Sequence, residues 1–172
     1  MYPPGVRERG QRVHAHTAAL DHGQTPARAA RTAPLVDGED GYCRSWDIWK
    51  ALYHPQFVLI EHPLFDPIRR VAGAPDRVAV LRRPGFPIHI GNINLKTGDL
   101  EPWHALQLSI YDLLIQAWIA SGQALGVLQQ LRIINYGVYL RVDGGEPKTR
   151  TFDCDPRVHA LLTTAQLRRS YR

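Results

Sequence analysis

The strongest constraint on the fold is a run of three strand-like segments followed closely by one long amphipathic helix. Strands are favoured by the β-branched and aromatic residues of three segments, 56–62 (QFVLIEH), 69–83 and 86–96 (FPIHIGNINLK). The Arg–Pro–Gly sequence at 83–85 predicts a hairpin turn between the last two segments. Pro75 indicates an edge, a bulge or a bend within the second segment. Together these features predict a central β-sheet.

Helical patterns precede and follow these strands. Residues 5–21 predict a first helix, and residues 41–53 predict a second one whose aromatic side chains recur at helical spacing and face the core. These aromatic residues are Tyr42, Trp46, Trp49 and Tyr53. The intervening residues 24–40 are rich in Pro, Gly and Ala and predict a flexible loop. The long amphipathic helix begins near Pro102 and ends at Gly122.

The C-terminal part predicts a second hairpin and a last helix. Residues 132–146 form a strand that ends in an Asp–Gly–Gly turn, and 148–155 begin its partner. The last helix begins at Pro156, with Asp155 placed to cap it. The expected order is α, α, β, β, β, α, β, β, α. This order predicts an α/β fold with a mixed central sheet flanked by helices, in a single domain of 172 residues.

Composition excludes several classes of protein. The 44% hydrophobic content argues against a disordered chain, and no apolar run approaches the roughly 18 residues that span a membrane. The first residues lack the apolar core of a secretory signal, so a cytoplasmic location is expected. Cys43 and Cys154 are far apart, which argues against a cysteine-ligated zinc or iron–sulfur site.

Basic residues are unevenly distributed in a chain with a net charge of +5. One cluster consists of Arg69, Arg70, Arg77, Arg82 and Arg83. Residues 148–172 add Lys148, Arg150, Arg157, Arg168, Arg169 and Arg172 against only Asp153 and Asp155. Such clusters suit a polyanion such as DNA, although solvated protein faces carry similar charge.

Strand and helix spacing brings several polar side chains towards one end of the sheet. Asn94 and Lys96 are two residues apart on one strand and therefore share a face. A hairpin that closes at 83–85 pairs positions whose numbers sum to about 169, so Asp76 lies opposite residue 93, within reach of Asn94. The next helix presents a single stripe at i, i+3 and i+7: His104, Gln107 and Tyr111.

These residues form an ordered set of motifs. They are Arg9–Gly10 followed by His14, then Pro75–Asp76, Asn94–Leu95–Lys96, and Gln107–x–x–x–Tyr111. The set resembles the PD-(D/E)XK nuclease superfamily, and above all its RecB-type branch, which includes phage-encoded exonucleases. The resemblance covers most of residues 9–142. It implies a restriction-endonuclease-like core within the α/β fold.

The resemblance also implies a role for each motif residue. The implied ligands of Mg²⁺ or Mn²⁺ are His14, Asp76, the side chain of Asn94 and the backbone carbonyl of Leu95. Lys96 would orient the attacking water or stabilise developing negative charge, and Gln107 and Tyr111 would hold the phosphate backbone or the geometry of the site. His104 is a further candidate. Glu61 lies where the family often has a glutamate, although it could equally pair with an arginine.

Asn94 departs from the family pattern, which has a carboxylate at this position. An amide oxygen can bind Mg²⁺ but brings no charge, so cation binding and activation of water are both weakened. Either a deliberate Asp-to-Asn change or natural variation accounts for the difference. Asn92 cannot substitute, because it lies two residues from the ligand position.

The sequence therefore predicts a Mg²⁺-dependent deoxyribonuclease of the phage recombination or end-processing type, impaired by Asn94. The expected partner is DNA, together with a phage recombination or single-strand annealing protein, in the cytoplasm of a bacterial host. A homo-oligomer is compatible with this prediction, and a membrane is not involved. The alternative is a non-catalytic DNA-binding or scaffold protein that retains the nuclease fold.

Overall fold

The computed structural model describes residues 5–124, 126–155, 157, 158 and 162. The helices with described bounds are α1 (Val6–Asp21), α2 (Pro26–Thr32), α3 (Asp40–Tyr53), α4 (Trp103–Ala120) and a short 3-10 helix (Gly126–Gln130). The strands are β1 (Pro55–Ile60), β2 (Leu64–Asp66), β3 (Val71–Gly73), β4 (Arg77–Leu81), β5 (His89–Lys96), β6 (Ile133–Tyr139) and β7 (Lys148–Phe152).

Five of these strands form one mixed sheet in the order β1-β4-β5-β6-β7. β5 and β6 are parallel and are joined through α4, whereas the other neighbouring pairs are antiparallel. A parallel pair needs such a crossover connection, which the long amphipathic helix supplies. The expected α/β fold with a mixed central sheet flanked by helices is confirmed.

Helices cover the two faces of the sheet and bury two apolar clusters. On one face, α1 and α3 pack against Ile93 and Leu95, and the predicted aromatic stripe of α3 is part of that cluster. Trp46 and Trp49 are fully buried there and stack with their ring centroids 4.9 Å apart. On the other face, α4 packs against apolar residues of β4 and β5 such as Val78. Successive side chains of β5 therefore face α1 and α4 in turn.

The segment predicted as a single strand, 69–83, is divided between two sheets. Its first part, β3, pairs with β2 in a small separate hairpin that packs on α4, and its second part, β4, lies inside the main sheet. Pro75 stands between them, where the chain bends. The short strand β2 escaped the sequence prediction because three residues carry no measurable alternation.

The hairpin between β4 and β5 has nearly the predicted register. Arg77 pairs with Ile93 and Val78 with Asn92, so paired positions sum to 170 rather than 169. The turn is closed by the N–H of Phe86, which donates to the carbonyl of Arg83 at 3.1 Å. Continuing the register by one residue sets Asp76 opposite Asn94, as the predicted site requires.

The expectation of a loop at 24–40 needs a correction, because α2 lies within it. The side chain of Thr25 accepts a hydrogen bond from the N–H of Arg28, Pro26 occupies the first turn, and alanines fill the helix. Caps, an N-terminal proline and alanine all favour helix formation even without an apolar period. The helix predicted from Pro156 lies mostly outside the described residues, as do Arg168, Arg169 and Arg172.

Candidate metal centre and active site

Three side chains from separate elements converge beside the end of β5. They are His14 of α1, Glu61 directly after β1, and Asp76 directly before β4. One donor atom from each lies within 4.8 Å of the other two. Nδ1 of His14 is 3.3 Å from Oε1 of Glu61 and 3.6 Å from Oδ2 of Asp76. The structure thus places Glu61, a secondary candidate in the sequence, within the cluster.

Contacts at the N-terminal half of α1 fix the position of His14. The guanidinium of Arg9 donates to the carbonyl of Thr97 at 3.0 Å, which ties α1 to the segment that follows β5. A Cβ on Gly10 would lie 3.6 Å from Oγ1 of Thr97, so the helix and this segment approach closely. His14, one turn further along, then reaches the carbonyl of Leu95, with Nε2 3.1 Å from that oxygen. The Arg–Gly–His motif therefore has a structural basis.

Glu61 has an unusual backbone conformation. Its φ of 47° lies in the left-handed region, which a residue with a Cβ rarely adopts. Its N–H donates to the carbonyl of Asp76 at 2.9 Å, so the strained residue is locked to the start of β4. Strain of this kind is held in place by surrounding structure and concentrates at functional sites. The side chain also accepts from Nη1 of Arg77 at 3.0 Å, so Glu61 both joins the cluster and pairs with an arginine.

Asp76 is buried, and its Oδ2 accepts the N–H of Leu95 at 2.7 Å. Burial raises the pKa of Asp76, and the neighbouring Glu61 raises it further. His14 and Lys96 act in the opposite direction without cancelling that shift. Burial therefore disfavours the charged form of Asp76 more than its neighbours favour it.

The pKa of His14 is also raised, in the direction that places a positive charge beside the two carboxylates. Burial lowers the pKa of His14, but Asp76 and Glu61 together outweigh burial, so its pKa is raised. A protonated imidazole can donate to the carboxylates from one nitrogen and to the carbonyl of Leu95 from the other. The raised pKa favours this protonated form, which brings positive charge to the two carboxylates.

Lys96, Gln107 and Tyr111 form a hydrogen-bonded chain beside the cluster. Nζ of Lys96 donates to Oε1 of Gln107 at 2.8 Å, and Nε2 of Gln107 donates to the hydroxyl of Tyr111 at 3.1 Å. Burial lowers the pKa of Lys96, while Asp76 opposes that shift. The structure brings together the lysine and the two helix residues that the sequence paired.

His104 does not join this chain. Its Nδ1 accepts from the N–H of Glu101 at 3.2 Å and lies 2.9 Å from the hydroxyl of Tyr139. Burial and the nearby Lys96 lower the pKa of His104 to about 4, so the ring is neutral at physiological pH. Its described contacts hold the start of α4 against β6, which is a structural role.

Asn94 is completely buried, and neither its amide oxygen nor its amide nitrogen has a hydrogen-bond partner among the described residues. By contrast, Nδ2 of Asn92 donates to the carbonyl of Leu108 and to Oδ1 of Asn135, at 3.0 and 2.8 Å. Leaving a buried polar group unpaired costs about 1–3 kcal/mol. Asn92 thus serves the packing of α4 on the sheet, whereas Asn94 makes no compensating interaction within the described protein.

The five arginines that are close in sequence do not lie together in the structure, and Arg77 is not on the surface. Arg77 is completely buried, with Nε 2.7 Å from Oδ2 of the equally buried Asp21. It also donates to Glu61, to Thr17 and to the carbonyl of Asp76. The expectation that Arg77 binds nucleic acid is therefore wrong, because its strand position points into the core between α1 and the sheet.

The other four arginines lie at two separate places. Arg69 and Arg70 are at the tip of the β2–β3 hairpin, where Arg69 pairs with Asp66 at 2.7 Å. Arg82 and Arg83 follow β4 at the end opposite Asp76, about 20 Å away at roughly 3.3 Å per residue of strand. The latter two therefore do not border the candidate metal centre.

An open groove runs between α1 and α4 and is lined by two residues of the candidate metal centre. Its volume is about 790 Å³, and its walls include Arg7, His14, Glu61, Trp103 and Gln107. Trp103 was not singled out in the sequence. The available signal was its position directly after Pro102, four residues before Gln107 on the same helical face.

The donors of the cluster suit a hard divalent cation. Two carboxylates and one imidazole favour Mg²⁺ or Mn²⁺ over softer metals, which prefer thiolates. Neighbouring ligands of an octahedral ion at about 2.1 Å are about 3 Å apart. The separations of 3.3 and 3.6 Å between Nδ1 of His14 and the carboxylate oxygens of Glu61 and Asp76 are close to that value, whereas Nε2 on the other side of the ring contacts the carbonyl of Leu95. The residues present therefore fit such an ion.

No protein-family model and no curated protein matches this chain. Within the described residues, no helix is both long enough and apolar enough to cross a membrane.

Proposed function

We propose that this protein is a divalent-metal-dependent nuclease with a PD-(D/E)XK core, acting on the phosphodiester backbone of DNA. The observation that carries the proposal is the convergence of His14, Glu61 and Asp76. Lys96 is close enough to act on the charge of Asp76, and His14 and Glu61 line an open groove. The order of these residues in the chain supports the same assignment, since it follows the motif order of RecB-type nucleases.

The protein residues divide the chemistry between them. His14, Glu61 and Asp76 would hold Mg²⁺ or Mn²⁺, and a bound ion would supply neutralisation of phosphate charge and a lowered pKa of its bound water. Lys96, kept in place by Gln107, provides a positive charge for the attacking water or for the phosphate oxygens. Tyr111 fixes the side chain of Gln107. Burial of Asp76 and Lys96 strengthens these interactions by excluding solvent.

Asn94 limits the activity of the protein. Glu61 and Asp76 still bring two carboxylates, so the chain as it stands is expected to bind Mn²⁺. The missing charge at position 94 weakens the field on the water, so turnover is expected to be low. A phage recombination or end-processing role in a bacterial cytoplasm, beside an annealing protein, remains the working hypothesis from the motif resemblance.

A non-catalytic DNA-binding protein is the second candidate, and it is favoured by the uncharged amide at position 94, where the resembled family has a carboxylate. Isothermal titration with Mn²⁺ separates the two, using Asp76→Ala as the matched variant. The nuclease proposal expects binding that disappears in Asp76→Ala. A folded parent protein that binds DNA and shows no Mn²⁺ binding supports the second candidate instead.

A further inference from the structure

Trp103 is an exposed aromatic residue without a structural role in either apolar cluster. It is 45% exposed, although Nζ of Lys96 lies 5.1 Å from the centre of its ring and His104 packs beside it. Neither apolar cluster formed by the described residues includes it. An indole of this size is normally buried, as Trp46 and Trp49 are.

Trp103 borders three grooves that are also lined by residues of the candidate site. It borders the groove that contains His14 and Glu61, and a second groove that contains Lys96. It also borders a third groove beside Tyr111. A planar ligand on its ring would therefore occupy the same groove as His14 and Glu61.

The opposite wall of the groove carries a positively charged side chain, that of Arg7. Arg7 is exposed on the first turns of α1 and borders both the groove with His14 and the groove with Lys96. An exposed guanidinium across from an indole is suited to a nucleotide, with the phosphate at Arg7 and the base on Trp103. His14 and Glu61 of the candidate metal centre line the same groove, so a phosphodiester held there would lie beside them.

We propose that Trp103 is a stacking platform for an unpaired base, so that this groove takes single-stranded DNA. In a duplex, the faces of the bases are covered by their neighbours, and an enzyme residue reaches them only after the strand is opened. Stacking is tolerant of sequence, because every base presents an aromatic face. This inference rests on the proposed nuclease function for the position of the scissile phosphate, but the stacking itself needs no metal.

The test compares labelled oligo-dT with an oligonucleotide of equal length that lacks bases, by fluorescence anisotropy in EDTA. Trp103→Leu is expected to weaken binding of oligo-dT about tenfold and to leave binding of the abasic strand unchanged. Trp103→Phe keeps an aromatic ring and retains most of the affinity. Arg7→Gln weakens binding of both strands equally and lowers the salt dependence by about 0.7 per lost phosphate contact.

Equal losses for both strands in Trp103→Leu, or no loss for oligo-dT, would overturn the stacking proposal. Titration of Trp103→Leu and of the parent protein with Mn²⁺ shows whether the stacking proposal fails alone or the nuclease proposal fails. Retained Mn²⁺ binding without base-dependent affinity rejects the platform alone. Base-dependent affinity without Mn²⁺ binding in the parent protein supports the platform and rejects the nuclease.

Discussion

Replacing Asn94 by aspartate tests whether β5 is shaped for a carboxylate beside the metal centre. The substitution hardly changes the volume of a side chain that is fully buried and has no described partner. In metal-free protein the new carboxylate enters a site where the pKa of Asp76 is already raised by burial and by Glu61. An uncompensated buried charge costs about 3–5 kcal/mol. For a chain of this length that loss lowers Tm by roughly 6–20 °C.

A bound cation should reverse most of this loss. A ligand at one hundred times its Kd stabilises the folded state by about 2.7 kcal/mol, and at one thousand times by about 4.1 kcal/mol. Because the added charge tightens binding, Asn94→Asp should gain more stability from a given concentration of Mg²⁺ than the parent protein. The rate of DNA cleavage should rise on the order of a hundredfold, the usual effect of one preorganised charged or hydrogen-bonding group.

Thermal unfolding with EDTA and with Mg²⁺ measures the effect, and a nuclease assay follows it. Asn92→Asp is the matched control, because the residue lies on the same strand and face but donates to Leu108 and Asn135. It should lose stability without recovery by Mg²⁺. Asn94→Asp/Lys96→Ala should regain the metal response without the cleavage. A metal response in Asn94→Asp no larger than in Asn92→Asp would refute the reasoning.

Three further outcomes follow from the site. Asp76→Ala should abolish Mn²⁺ binding in a calorimetric titration, whereas Lys96→Ala should leave binding largely intact and remove turnover. The pKa of His14 is raised in metal-free protein, so its stabilising effect is complete below pH 6.5 and is lost as pH rises through the raised value. Binding of Mn²⁺ displaces the imidazole proton of His14, so the affinity for Mn²⁺ should increase as pH rises through the same range. His14→Gln should remove this pH dependence of Mn²⁺ binding. An unchanged pH profile in the variant would contradict the assignment. Arg77→Ala should lower the free energy of unfolding by about 3–5 kcal/mol in a urea titration, whereas Arg82→Ala should change it by less than about 1 kcal/mol, and similar effects would contradict the reassignment.

Much of the fold could be read from periodicity, because local patterns reflect which face of an element is buried. The apolar run of β5 and the aromatic spacing of α3 identified a central strand and a packed helix. The segment 69–83 was less readable, since apolar alternation continues through Pro75 although the chain leaves one sheet for another. Strand partners are decided by contacts distant in sequence, which a local pattern does not contain.

The sequence alone identified the candidate side chains of the site, which are His14, Asp76, Lys96 and the helical pair Gln107 and Tyr111. Their spacing along strands and a helix is a local property, so the amino-acid order by itself predicts which of them share a face. The absence of a carboxylate at position 94 is equally visible in the amino-acid order.

The tertiary structure decided which charges meet. Glu61 joins the cluster because its backbone has an unusual left-handed conformation that a hydrogen bond to the start of β4 holds in place. Arg77 is buried in the core, where it pairs with Asp21 of α1. Neither partner is close in sequence, so charge patterning could not distinguish a buried ion pair from an exposed phosphate contact. The exposed ring of Trp103 likewise acquires meaning only from the groove between α1 and α4. Burial and long-range pairing, which depend on the whole packed chain, separate the residues of the site from others of the same type.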